Sequence, residues 1–408
     1  MREQQTPHFV GLDIGTSAVR CVVGTLDAGD PTKMTIIGYG KALNTGMRRG
    51  VIVHIDEVVE AASKAIEEAE RMSGTSIHHA CVNINGPHIL GINSTGVIAI
   101  STANREITHD DRVRAEEAAA ILQMPPNRKI IQIFPQNYSV DGQDNIKDPV
   151  GMQGVRLEVD THIITAATPS LKSLEAVCER LHIVPSNITV SALAGVEAVL
   201  ERPQKEAGTL LLDIGSGTTN LAVVEDGEIQ YVGVLPIGSN LLTNDLAIGL
   251  KTDLEIAEQV KVKQATLEPN KNRYTKITHN NKIHNFEGED ITMITEARLD
   301  ELFEYVEKEL KTIHKSQKLP GGVVIVGGMS ALPGIAEFAK DRLQLPAQVG
   351  SLQHVSGLVD SIDKKEYIAA TGLAIVDMLT LPQNAYSTTP SQKTIRGVFE
   401  KLKGKIKY

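Results

Sequence analysis

The sequence predicts an α/β protein of two related halves, each opening on a strand-turn-strand that carries an aspartate, and each interrupted by an inserted subdomain. Three observations carry that prediction. Leu210 to Thr219 repeats the order of Gly11 to Ser17, an apolar strand, then Asp-Ile-Gly, then a hydroxyl-rich turn, so Asp13 and Asp213 are counterparts. A chain of 408 residues is too long for one ordinary core. With 41% hydrophobic and 22% charged residues, the composition is that of a globular protein rather than a disordered or fibrous one.

In chain order, His8 to Leu12 reads as a strand and Ala18 to Leu26 as its returning partner across the Gly15-Thr16-Ser17 turn. Val58, Val59, Ala62, Ala65, Ile66, Ala69 and Met72 recur at helical spacing, with Asp56 as N-cap and Gly74 as the stop. Between about Asn85 and Asp160 the rhythm changes to short strands and a Glu- and Ala-rich helix near Asp110 to Leu122, which predicts the first insertion. Helices follow at Leu171 to Leu181 and Leu193 to Leu200. The second hairpin begins at Leu210, and Leu221 to Val224 returns. Pro236 to Glu296 is more polar and reads as a second, helix-rich insertion. Gly322 to Ile335 is strand, glycine pair and helix start; Ile368 to Leu379 is a closing helix; Pro382 to Pro390 is a polar linker.

Charge and cysteines exclude several classes. A formal charge of -9 argues against a nucleic-acid coat, which needs clustered Lys and Arg. Cys21, Cys81 and Cys178 are scattered and odd in number, which reads as reduced thiols in a cytosolic compartment. No stretch approaches the ~20 apolar residues that a membrane span needs.

A strand ending in Asp, followed by Gly and hydroxyl residues, sets backbone N–H groups around a phosphate while the carboxylate faces a hydrated divalent cation. The two copies nominate Asp13, Gly15, Thr16 and Ser17 in one half, and Asp213, Gly215, Ser216, Gly217, Thr218 and Thr219 in the other. Asp13 and Asp213 would hold Mg²⁺ through water from opposite sides. Gly327, Gly328 and Met329 follow an apolar strand, where missing side chains let backbone approach a flat nucleoside. Glu258 and Lys261 share a helix face and suit either ribose hydroxyls or an intrahelical ion pair.

At the end of the chain, Ile395, Val398, Phe399, Leu402 and Ile406 gather on one helical face. Lys393, Arg396, Lys401, Lys403, Lys405 and Lys407 stand against Glu400 alone, as in a helix that lies in the interface of an anionic bilayer. Docking of this helix on the protein itself, or on an acidic partner or nucleic acid, is the alternative.

Two phosphate hairpins, a nucleoside loop and an E-x-x-K helix in this order resemble the actin, Hsp70 and sugar-kinase superfamily. Over its whole length the chain resembles the FtsA family of bacterial division proteins. The most specific stretches are residues 11–17, 50–56, 140–143, 147–152, 154–158 and 243–250. The resemblance implies an actin-like, ribonuclease H-like duplicated fold with two inserted subdomains, one of the 1C type carried by FtsA. It implies subdomain 1A over 1–84, 162–197 and 363–382; 1C over 85–161; 2A over 198–235 and 300–362; and 2B over 236–299. A linker over 383–391 and a membrane helix over 392–408 complete the division.

It further implies an ATP- and Mg²⁺-binding protein that polymerises head to tail, works with downstream divisome proteins, and sits on the cytoplasmic face of the membrane at the septum. Its partner is the C-terminal tail of the tubulin-like FtsZ, docked on 2B. Arg298, heading an Ala-Arg-Leu helix, would pair with that tail, unless it pairs with Glu301. Three positions depart from the family pattern. Asn220 stands where an acid is usual, Ser191 where a Gln or Glu orients water, and Ala18 where Lys is common, with Arg20 nearby. They imply a nucleotide-binding filament protein whose ATP turnover is slow or absent. A pilus-assembly relative and a kinase of the same superfamily are the rival readings.

Overall fold

The computed structural model describes residues 7–30, 32–101, 104–121, 126–268, 274–358 and 365–380. The linker and terminal helix read over 383–408 lie outside the described residues.

The first half opens on β1 (His8–Ile14), β2 (Ala18–Leu26) and β3 (Met34–Leu43), an antiparallel run. A short ribbon, β4 (Met47–Arg48) with β5 (Val51–Ile52), leads into α1 (Ile55–Ser73), and β6 (His79–Asn83) returns parallel to β1. Helix α1 ends at Gly74 in the left-handed region, φ 71°, which a residue without Cβ adopts freely. Its N-cap is His54 rather than Asp56; Asp56 lies one step inside, in the first turn, where its charge favours the helix dipole.

The first insertion holds β7 (Ile89–Ala99), α2 (His109–Ala120), β8 (Arg128–Val140), β9 (Gln143–Ile146) and β10 (Arg156–Ala167), with sheet order β7-β10-β8-β9. Its main strands are long rather than short, and register shifts at Asp160/Thr161 and Ile164/Thr165 bend the pair formed by β8 and β10. The chain then passes through α3 (Thr168–Arg180), β11 (Val184–Thr189), α4 (Ser191–Val199) and α5 (Arg202–Ala207).

The second half repeats the first. β12 (Thr209–Ile214), β13 (Thr219–Glu225) and β14 (Glu228–Leu235) form an antiparallel run, followed by α6 (Ser239–Gly249) and α7 (Leu254–Gln264). A hairpin, β15 (Tyr274–His279) with β16 (Lys282–Glu287), interrupts the segment that composition marks as helical. Next come α8 (Gly288–Thr312), β17 (Gly322–Val326), a 3₁₀ turn over Gly328–Ala331, α9 (Ile335–Leu343), β18 (Ala347–Val349), β19 (Val355–Gly357) and α10 (Ile368–Thr380).

The sheets run β11-β6-β1-β2-β3-β19 and β14-β13-β12-β17-β18. In each, the Asp-bearing strand lies between an antiparallel and a parallel neighbour, so the sequence repeat is a structural repeat. Both carboxylates therefore emerge at the same end of equivalent strands. The last described helix, α10, packs on β1 and α4, where Gly11 and Gly372 remove obstructing Cβ atoms: these would stand 2.0 Å from the Ala370 and Ala194 carbonyl oxygens. Asp377 on α10 accepts the Val10 amide at 3.0 Å. The three cysteines are buried free thiols whose pKa values burial raises, Cys178 to about 11.

Candidate functional site

The two hairpin tips are built alike. Gly15 N–H donates to Ala18 O at 3.1 Å and Gly215 N–H to Thr218 O at 2.9 Å, closing equivalent turns. In the second, amides at the start of α6 fasten the loop from outside: Ser239 N–H reaches Gly215 O at 3.0 Å and Asn240 N–H reaches Ser216 O at 2.9 Å. In the first, Asn44 does so through its side chain to Gly15 O and its amide to Ser17 O. Among the described residues the amide N–H groups of Thr16, Ser17, Ser216 and Gly217 have no acceptor, an arrangement that suits an anion. The tips meet, and a Cβ on Gly217 would stand 2.6 Å from Thr16 Oγ1.

Strand register sets a different partner across from each carboxylate. Asp13 faces Arg20 and Asp213 faces Asn220. Arg20 Nη1 lies 3.9 Å from Asp13 Oδ2, and its Nη2 lies 3.3 Å from Glu366 Oε2. Asn220 Nδ2 donates to Asp213 Oδ2 at 3.2 Å, and its own Oδ1 is buried without a donor. Burial pushes the Asp13 carboxyl up, against the pull of Arg20 and the Asn83 hydrogen bond. Burial also pushes Asp213 up, to about 7, and the Asp13 charge adds to the rise. Two buried carboxylates, one raising the pKa of the other and a guanidinium lowering both, form a pair that a hydrated divalent cation would neutralise. An orphaned Asn220 oxygen beside them is a further acceptor for such a cation's water.

The glycine loop after β17 reaches the same place, because β17 runs parallel to β12 with Val326 beside Asp213. A Cβ on Gly327, φ 84°, would stand 2.5 Å from Asp213 Oδ1, whereas one on Gly328 would meet nothing within 4 Å. Gly328 thus opens space at the cleft.

Several nominated side chains point elsewhere. Met329 is buried in the second core, leaving only its backbone near the loop. Thr219 is fully buried and donates its hydroxyl to Ile237 O at 2.8 Å, since strand alternation turns it away from the cleft. Glu258 and Lys261 form the intrahelical ion pair at 2.6 Å, and Thr243 Oγ1 lies within 2.9 Å of both. Arg298 does not head a helix: α8 begins at Gly288, and Arg298 sits in its interior, bonded to Asp245 on α6 and to Glu301. Ile395, Arg396, Val398, Phe399, Lys401, Leu402, Lys403, Lys405 and Ile406 all lie outside the described residues.

The structure also brings in residues that motif reading missed. Asn83, at the end of β6, is 2% exposed and donates to Asp13 Oδ1 at 2.6 Å. Asn85 Nδ2 donates to Ser191 Oγ at 2.6 Å. The available signal was an Asn closing an otherwise apolar strand that pairs parallel with β1.

Comparisons with known proteins agree with this architecture. Residues 86–165 match the family described as "SHS2 domain inserted in FTSA", and residues 210–372 match "Cell division protein FtsA". The chain is 35% identical to "Cell division protein FtsA" of Neisseria meningitidis serogroup B over 377 residues, 91% of this chain and 90% of that one. It is also 35% identical to "Cell division protein FtsA" of Bacillus subtilis over 370 residues, 90% of this chain and 82% of that one. Among solved structures, the PilM-PilN type IV pilus biogenesis complex matches with TM-score 0.66 at 17% identity, covering 91% of this chain and 98% of that one. MreB5 of Spiroplasma citri bound to ADP matches with TM-score 0.56 at 14% identity, covering 94% and 99%. The fold is therefore actin-like, with the FtsA-type insertion in its first half, and the chain belongs to the FtsA family of cell division proteins.

Proposed function

We propose that this protein binds ATP with Mg²⁺ between its halves, assembles head to tail, and fastens FtsZ polymers to the cytoplasmic face of the membrane at the septum through a helix over 392–408. The observation that carries the reading is the pair of equivalent hairpins, whose unbonded amides and two buried carboxylates converge on one cleft. A cation held there would shield the charge of the phosphates. The chain's own residues do the rest. Amides of Thr16, Ser17, Ser216 and Gly217 bind phosphate oxygens, Asp13 and Asp213 bind the cation's waters, and Gly327 and Gly328 admit the base. Glu258 and Lys261, paired with each other and with Thr243, are the proposed contacts for the ribose hydroxyls. Subdomains 1A, 1C, 2A and 2B, with the bounds given from sequence, are the corresponding division of the chain.

Membership of a cell division family supports the role, and a relative bound to ADP supports the ligand class. The apolar stripe and basic flanks of 392–408 support the tether. A single such helix binds weakly, so polymerisation would strengthen attachment through multivalency. Arg298, bonded to Asp245 on α6 and to Glu301 on its own helix, is the proposed contact for the FtsZ tail. The proposed turnover is slow or nil, because Asn220 is an amide and Ser191 a short hydroxyl. ATP affinity measured with and without Mg²⁺ tests the site, and co-sedimentation with anionic liposomes before and after deleting 392–408 tests the tether. Metal-independent affinity, or unchanged pelleting of the truncated chain, would refute the respective half.

A further inference from the structure

The floor of the cleft beside Asp13 carries a closed set of hydrogen bonds. Asn83 Oδ1 accepts the Ile14 amide N–H at 2.7 Å, and Asn85 Oδ1 accepts the Ser191 amide N–H at 3.1 Å. A backbone N–H only donates, so these two bonds fix which end of each side-chain amide is oxygen. Both NH₂ groups are thereby turned onto one atom. Asn83 Nδ2 lies 3.1 Å and Asn85 Nδ2 lies 2.6 Å from Ser191 Oγ, while Asn83 gives its other N–H to Asp13 Oδ1. Ser191 begins α4 and is 2% exposed, so bulk solvent does not displace the two amides from its oxygen.

A hydroxyl has two acceptor sites and one proton. Here the two amides occupy the acceptor sites, and only the proton is left to offer. We propose that Asn83 and Asn85 are positioning residues that make the Ser191 hydroxyl a donor only, and that this keeps a bound nucleoside triphosphate from being hydrolysed. The inference rests on the nucleotide reading above and supplies its mechanism of restraint. Hydrolysis joins a water oxygen to the terminal phosphorus, breaks the bond from that phosphorus to the bridging oxygen, which leaves with the diphosphate, and passes a water proton to an acceptor. A neutral hydroxyl could at most orient that water by accepting its O–H, and Ser191 Oγ has no free acceptor site with which to do so. A hydroxyl that donates to the water instead occupies one of its two lone pairs and draws electron density away from the other, which weakens it as a nucleophile. Asn220, across the cleft, is an amide and takes no proton either. Asp13 and Asp213 are committed to the cation's waters, and Asp13 Oδ1 is held by Asn83.

The test uses the full chain as wild type, Ser191→Glu, Asn85→Ala and Ser191→Ala. Affinity for a fluorescent ATP analogue with Mg²⁺ and single-turnover phosphate release are measured separately. Exchange of Asn side-chain amide protons is followed by NMR in ligand-free protein. Ser191→Glu, which supplies an acceptor, is expected to raise phosphate release at least about ten-fold over wild type with affinity kept within about three-fold. Asn85→Ala, which reopens one acceptor site, raises it less. In ligand-free wild type the Asn83 and Asn85 NH₂ protons exchange more slowly than those of exposed asparagines, and Ser191→Ala speeds the Asn85 exchange. A Ser191→Glu protein that binds ATP but releases no more phosphate than wild type overturns the proposal, as does a wild type that turns over equally fast. Should Ser191→Glu fail to fold, Asn85→Ala decides by the same criterion. Loss of ATP binding by wild type overturns the nucleotide reading instead, and the exchange data still judge the hydrogen-bond assignment.

Discussion

Gly217 lies against Thr16, the tip of one hairpin against the tip of the other, so closely that a Cβ would stand 2.6 Å from the threonine hydroxyl and 3.0 Å from Arg49 Cα. The contact joins the two halves at their hairpin tips. Gly217→Val puts branched bulk there and wedges the tips apart. Affinity for Mg-ATP, measured by fluorescence titration, is expected to fall at least about ten-fold, because displaced donors no longer converge. The melting temperature of the ligand-free protein changes little, since neither core is touched.

Asp213 provides a pH test. Its folded pKa is raised to about 7 by burial and by Asp13, whereas an unfolded aspartate titrates near 3.9. Between those values the native state holds a proton that the unfolded chain has released. Stability therefore falls as pH rises from about 4 to 7, and the loss persists above 7. Asp213→Asn removes that loss and should stabilise the ligand-free protein at pH 8 by ~2–4 kcal/mol, and by much less at pH 5. Denaturant titration at the two pH values reads this directly. The same substitution weakens Mg-ATP binding at pH 8, so stability and affinity move in opposite directions.

His162 links the first insertion to the second half. Its Nε2 accepts the Val232 amide at 3.0 Å and its Nδ1 lies 2.6 Å from Asn93 Oδ1, which together define a neutral ring with the proton on Nδ1. Burial lowers its pKa to about 4. Unfolded histidine binds a proton below about 6.5, so this residue's contribution is present at neutral pH and declines as pH drops toward 4. His162→Ala should cost ~1–3 kcal/mol at pH 7.5 by stranding the Val232 amide, and should flatten the acid side of the stability curve. His88, also lowered to about 4, keeps part of that slope.

Gly372 supports the closing helix. A Cβ there would fall 2.0 Å from Ala194 O, backbone against backbone, which no rotamer change relieves. Gly372→Ala is expected to lower stability by ~1–3 kcal/mol or more. Calorimetry should show the loss in the first half's transition if the halves melt separately.

The duplicated hairpins were legible because a short motif, Asp-Ile-Gly after an apolar run, encodes strand, turn and carboxylate in adjacent residues. The direction of Thr219 and the burial of Met329 were not, because each depends on which face of a strand or turn packs inward. Asn83 and Asn85 escaped notice for a different reason. They reach Asp13 and Ser191 through parallel pairing of β6 with β1 and β11, a register set by crossovers rather than by neighbours in sequence. The hairpin of β15 and β16 was hidden by its composition: burial alternates along β15, but polar Thr275 faces inward while Tyr274 and Ile283 face solvent, so hydropathy does not follow the alternation.

The seat of α10 has a consequence for biosynthesis. β1 is made long before the helix that covers it, and the Asp377 carboxylate that receives the Val10 amide lies 367 residues further along the chain. A nascent first half therefore waits with one face of its sheet uncovered until α10 has been made. A chain terminated before α10 displays a sticky surface that quality-control proteases can recognise.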